Sequence, residues 1–231
     1  MMVIGLTGGI GTGKSTAAAY LREKGLAHID ADGISRELTE KGSPMLPLID
    51  SIFGPKGRMG DGSTEVVGTD GSLDRKALAS MVFSDMKKKE MLEEIMFDAI
   101  IEEIDFQIQE SERAGTYGAA ILDAPLLFEA GLETMCDKVI LLVADETVRI
   151  ERVCARDGVT SRDVRNRINS QLSDGEKIKR ADMVVDNSGS EKELYEKLDI
   201  CMRKLLENPP ADADEAGDTG RQSLPQAGKK A

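Results

Sequence analysis

Residues 4–21, IGLTGGIGTGKSTAAAYL, hold the chain's densest set of groups able to handle a phosphate. Gly8, four further residues, then Gly13, Lys14 and Ser15 match the spacing of a P-loop, and the apolar run at 3–6 precedes it as a buried strand would. A strand that ends in such a turn and opens a helix points several backbone N–H groups at one spot, where the helix dipole also favours negative charge. The chemistry that suits this arrangement is the holding of a nucleoside triphosphate. Gly8, Gly11 and Gly13 give close backbone approach and positive φ, Lys14 reaches the β and γ phosphates, the Ser15 hydroxyl ligates Mg²⁺, and Thr16 offers its N–H.

Three carboxylates are spaced for work beside such a loop. Asp30 and Asp32, in HIDAD, follow an apolar run and fall at the C-terminal edge of a strand, where open α/β sheets bind ligands. Each is either a cap for the helix that follows or, for Asp32 above all, a base that takes a proton from an acceptor hydroxyl. Asp123 ends the apolar run AAILD, where a carboxylate can hold the water shell of Mg²⁺. Farther on, Arg149, Arg152, Arg156, Arg162, Arg165 and Arg167 crowd one part of an otherwise acidic chain. They read either as a solvated helix face or as a lid that closes over a phosphoryl group in transfer. No Asn-Lys-x-Asp guanine signature is present, and Asp30–Gly33 lies too close to the P-loop helix to serve as a GTPase switch.

The elements that must position these groups are short apolar runs at residues 3–6, 26–29, 119–122, 139–143 and 183–185, several with no polar alternation, as in strands covered on both faces. Segments of helical period lie between them, at 15–24, 85–113 and 147–156. The order is βαβ, so the expected fold is α/β: a three-layer domain on a parallel sheet. The long gap between the second and third strands, residues 45–115, holds a Gly-rich stretch at 54–71. A helix follows it with Leu92, Ile95, Met96, Ile100, Ile104 and Ile108 at three- and four-residue spacing. The stripe is core packing residue by residue, while the insertion as a whole reads as a substrate module.

The expected organisation is one P-loop domain over 1–207, with a core at 1–44 and 116–207, the insertion at 45–115 and a lid at 145–180. The segment 208–231 is poor in large apolar residues and is expected to be disordered. A chain of 231 residues can bury a core without disulfides, and Cys136, Cys154 and Cys201 fit no disulfide framework or metal site. Net charge −12 excludes a general nucleic-acid or anionic-membrane surface. No stretch reaches transmembrane length and no basic leader precedes the first strand, so a cytoplasmic location is expected. His28, the single histidine, is read as a residue at the mouth of a strand.

Taken in order, GLTGGIGTGKST, IDADGISREL, GSLDRKALASMVF, LDAPLLFEAGL, RVCARDGVTSRD, INSQ and ADMVVDNSGS resemble the dephospho-coenzyme A kinase family from residue 3 to about residue 206. The resemblance implies a P-loop kinase core with a helical CoA-binding insertion and a lid. It also implies Mg²⁺- and ATP-dependent phosphorylation of the ribose 3′-hydroxyl of dephospho-CoA, the last step of CoA synthesis. Carried onto matching positions, Gly11, Thr12, Gly13, Lys14, Ser15 and Thr16 bind ATP phosphates, and Asp32 is the base. Arg36, Leu126, Phe128 and Glu129 lie near the acceptor, Arg75 in the substrate module, Arg152 and Arg156 in the lid, and Asn187 near the nucleotide base. Two departures stand out. Phe97-Asp98 replaces a His-Pro pair common in the family, removing a polar contact and a kink. The stretch RMGDGSTEVVGTDG is longer than usual and reads as a mobile loop. Competing functions are another nucleoside or nucleotide kinase, and a nucleotide-binding regulator without turnover.

Overall fold

The computed structural model describes residues 1–207, so the tail expected to be disordered lies outside the described residues. The chain forms two compact units: residues 1–30 with 107–207, and residues 31–106.

The first unit is built on five strands, β1 (Met2–Gly8), β2 (Ala27–Asp30), β3 (Ala119–Asp123), β4 (Lys138–Val143) and β5 (Met183–Asp186), each within two residues of its apolar run in the sequence. They pair in parallel in the order β2-β3-β1-β4-β5. Parallel pairing requires both faces to be covered, and the strands comply. Ile4, Leu6, Ile121, Ile140 and Leu142 pack with residues of α1 (Lys14–Glu23) and α9 (Glu191–Glu207), while Val3, Ala120, Leu122, Val139 and Leu141, on the other face, are equally buried. From β1 the chain runs through α1 to β2 on one side of it, returns to β3 on that same side, and then crosses to β4 on the other. The loop after β1 therefore opens where strand order reverses, the usual ligand position in such sheets. Between β4 and β5 lie α6 (Glu146–Asp157), α7 (Ser161–Asn169) and α8 (Asp174–Arg180). Thr160 and Asp163 close a reciprocal capping box at the start of α7.

The second unit holds α2 (Ala31–Glu37), α3 (Met45–Phe53), α4 (Arg75–Phe83) and most of α5 (Met86–Ala114) around a separate core that includes Leu46, Ile49, Phe53, Leu78 and Met81. Asp74 caps α4 through the Lys76 and Ala77 amides. The helix α5 is continuous through Phe97 and Asp98, as expected without a proline there. The Gly-rich stretch is anchored rather than loose: Val66 is fully buried in this core and its carbonyl accepts from the Asp74 N–H at 2.8 Å. The composition pointed to mobility, but its two valines supply the apolar anchor.

Candidate active site

The P-loop owes its shape to three glycines for two different reasons. Gly11 and Gly13 adopt φ of 81° and 87°, a region costly for any residue with a Cβ. Gly8 does not, contrary to the sequence expectation. It is a glycine because a Cβ there would lie 2.6 Å from Thr12 Oγ1 and 2.9 Å from the Leu142 carbonyl. Thr12 is buried, and both its N–H and its hydroxyl donate to the Gly9 carbonyl, closing the turn. Gly13 is the N-cap of α1 and provides no side-chain cap, so the first-turn N–H groups keep their capacity for an anion. Ser15, exposed in that turn, and Thr16 present hydroxyls beside them.

Lys14 turns toward β3 and forms an ion pair with Asp123 Oδ1. Asp123, 6 % exposed, also meets His28 Nε2 through its second oxygen at 3.2 Å. β2 and β3 are in register at Asp30 and Asp123, which sets these carboxylates side by side at the sheet's C-terminal edge. The part His28 plays here was missed in the sequence. The available signal was the period of two in β2, which puts His28 on the face that Asp30 shares.

Asn187, just beyond β5, is buried and donates from Nδ2 to the Thr12 carbonyl at 2.8 Å. Arg152 of α6 donates to the carbonyls of Asn187 and Gly189, at 2.9 and 3.3 Å. The loop therefore gathers Lys14, Asp123, Asn187 and Arg152. Arg156 is not among them: it is exposed in the last turn of α6 and pairs with Asp157, whose carboxyl is held below the ordinary range first by Arg156 and also by Arg167. Arg149 does not belong to a solvated face, because it is 3 % exposed.

After β3, residues 125–129 expose Leu126 but bury Leu127 and Phe128. Phe128, expected at the acceptor, has its ring covered by the Arg180 guanidinium at 4.6 Å and packs as core. Glu129 Oε1 accepts from the Leu172 N–H at 3.0 Å and pairs with the fully buried Lys177 at 2.9 Å. Burial pushes the Glu129 carboxyl up, but the Lys177 ammonium and the Leu172 amide outweigh it and hold the group below its ordinary value.

In the second unit, Asp32 and Arg36 are exposed on α2, in its first and last turns. Asp32 lies within the helix, whereas Asp30 precedes it. Arg75, exposed at the start of α4, donates to Thr39 Oγ1 at 2.8 Å. It edges a groove of about 260 Å³ whose other walls include Ile49, Leu73, Leu78, Val82 and Met96. The groove is apolar with a cation at its rim.

Residues 2–193 match the profile of the dephospho-CoA kinase family. A dephospho-CoA kinase of Corynebacterium glutamicum is 41 % identical over 194 residues, covering 84 % of this chain and 94 % of that protein. One from Anaeromyxobacter dehalogenans is 41 % identical over 207 residues, covering 89 % and 92 %. Among solved structures, TT1252 from Thermus thermophilus superposes with a TM-score of 0.67 at 33 % identity, over 88 % of this chain and 97 % of that one. With a family profile matching residues 2–193 and identity of this order along nearly the whole described length, the chain belongs to the dephospho-CoA kinase family.

Proposed function

We propose that the chain transfers the γ-phosphoryl group of ATP to the ribose 3′-hydroxyl of dephospho-CoA, giving coenzyme A and ADP. The observation that carries this reading is a formed P-loop, its lysine on a strand-end carboxylate, in a chain that matches this family over residues 2–193.

The phosphates of ATP lie over residues 11–16, where first-turn N–H groups and Lys14 face the charge that shifts from γ to β as the bridging P–O bond breaks. Arg152 and Arg156 add positive charge from α6, the first already beside the loop and the second after exchanging Asp157 for phosphate. Asn187 fixes the Thr12 peptide next to the nucleotide base. Asp32 accepts the proton of the attacking hydroxyl as the new P–O bond forms.

Magnesium fits the donor set. The Ser15 hydroxyl and Asp123 carboxylate are hard oxygen donors, and no cluster of three His, Cys, Asp or Glu side chains suited to a metal occurs among the described residues. That pattern suits an ion that keeps several waters and arrives with the phosphates. When bound, it neutralises phosphate charge.

The acceptor has a long apolar arm and an anionic diphosphate, and the groove of the second unit offers a wall for the first and Arg75 for the second. Arg36 and Leu126 add contacts, with Phe128 and Glu129 holding the loop that carries Leu126. Net charge −12 speaks against nucleic acid as a partner. No helix of the described residues is long and apolar enough to cross a membrane, and we place the enzyme in the cytoplasm.

The test is ADP formation with ATP and Mg²⁺, comparing dephospho-CoA, AMP and adenosine as acceptors, with Asp32→Asn alongside. Turnover confined to dephospho-CoA and lost in the variant is expected. Preference for AMP or adenosine would make the chain a nucleotide or nucleoside kinase, and ATP binding without turnover would make it a regulator.

A further inference from the structure

Ile10 is gripped on three sides by the segment between β4 and β5. Its side chain packs against Ile150, Val153 and Val164 of α6 and α7. Its N–H donates to Gln171 Oε1 at 3.0 Å, and its carbonyl accepts from Arg149 Nε at 2.8 Å. The Arg149 guanidinium is buried and reaches onward from Nη1 to Asp174 Oδ2 at 2.8 Å, at the start of α8. Its neighbours are shaped to it. A Cβ on Gly9 would lie 2.4 Å from Arg149 Nη2, and one on Gly11 would lie 2.7 Å from the Arg149 carbonyl. One turn farther along α6, Arg152 holds the carbonyl of Asn187, whose amide holds Thr12. A single helix thus grasps the P-loop at two peptides, directly at Ile10 and through Asn187 at Thr12.

We propose that Arg149 is a positioning residue for the phosphoryl donor. It acts through Ile10 to fix the curve of residues 9–11, and it ties that curve to the helix that presents Arg152. By occupying the Ile10 carbonyl it keeps an oxygen dipole turned away from the phosphates. Its planar fork serves Ile10 and Asp174 at once, and a lysine, with a single nitrogen, cannot span both. The proposal rests on the reading that this loop holds ATP, and it concerns the donor alone.

The test is calorimetric titration of ATP with Mg²⁺ into the parent, Arg149→Lys, Gln171→Ala and the paired Arg149→Met/Asp174→Asn. Separate KM values for ATP and acceptor, and the melting temperature, are measured for each. Arg149→Lys is expected to weaken ATP binding about tenfold, as the loss of one hydrogen bond from a charged donor does, with the acceptor KM unchanged within about twofold. The paired variant removes both charges and should keep its melting temperature while losing the same affinity, which a merely structural role would not produce. Gln171→Ala, which leaves Arg149 in place, should weaken ATP binding in the same selective way. Unchanged ATP affinity in the folded variants, or ATP and acceptor parameters that worsen equally, would overturn the proposal. Failure of the parent to bind ATP would instead overturn the reading beneath it.

Discussion

Lys14, the first residue of α1, and Asp123, the last residue of β3, form an ion pair across 109 residues of sequence. The pair places the loop's cation and its nearest carboxylate at the C-terminal ends of adjoining strands. Each has a separate task in phosphoryl transfer. Lys14→Ala should lower kcat by about 10²–10³-fold, the usual cost of removing one transition-state donor. Asp123→Asn should raise the Mg²⁺ concentration needed for half-maximal rate. Steady-state rates over a Mg²⁺ titration check both, and a Lys14→Ala enzyme at parental rate would remove the lysine from the chemistry.

Gly13 combines a left-handed φ of 87° with close packing, since a Cβ would lie 2.2 Å from Asn187 Nδ2. Gly13→Ala should therefore cost about 1–2 kcal/mol from backbone strain alone and displace Asn187 as well. Thermal unfolding and ATP affinity should both fall, whereas Gly62→Ala, also at positive φ but in open space, should affect stability only.

The Glu129–Lys177 pair gives a pH prediction with a definite sign. The folded-state Glu129 carboxyl titrates below its ordinary value of 4.5, so its contribution is present above pH 4.5 and is lost as the pH falls through the lower folded value. Glu129→Gln should melt below the parent at neutral pH, and the gap should narrow in acid. Lys177→Met leaves Glu129 without its cation, while the double variant Lys177→Met/Glu129→Gln should recover part of the loss. A gap that widens in acid would contradict the assignment.

In the second unit, Arg75→Ala should raise the acceptor KM about tenfold, the worth of a charge-assisted hydrogen bond, and leave the ATP KM alone. Ala79→Glu, which sets a carboxylate into the same apolar groove, should act in the same direction. Kinetics with each substrate varied in turn would separate the two sites. Equal effects on both KM values would argue against acceptor binding in the groove.

The strands and the P-loop were legible because their signals are local: runs such as AILD and KVILLV have no polar alternation, and the glycines, Lys14 and Ser15 sit within one turn. What stayed hidden depended on distant partners. Arg149 repeats at helical spacing with Arg152 and Arg156 and so reads with them as a solvated face or a lid. Only the approach of α6 to the P-loop buries it. His28 gains its contact from β3, ninety-five residues away. Phe128 and Glu129 share a motif with Leu126, yet α8 covers the first and neutralises the second, which composition alone does not reveal.

Transfer to the ribose 3′ oxygen is tested most directly by following the phosphate itself. Dephospho-CoA incubated with the enzyme, ATP and Mg²⁺ should gain one phosphate by mass, and phosphorus NMR should show a new monoester coupled to the ribose 3′ proton, in step with ADP release. ADP formed while dephospho-CoA stays unmodified, or a phosphate carried at any other oxygen, would contradict it.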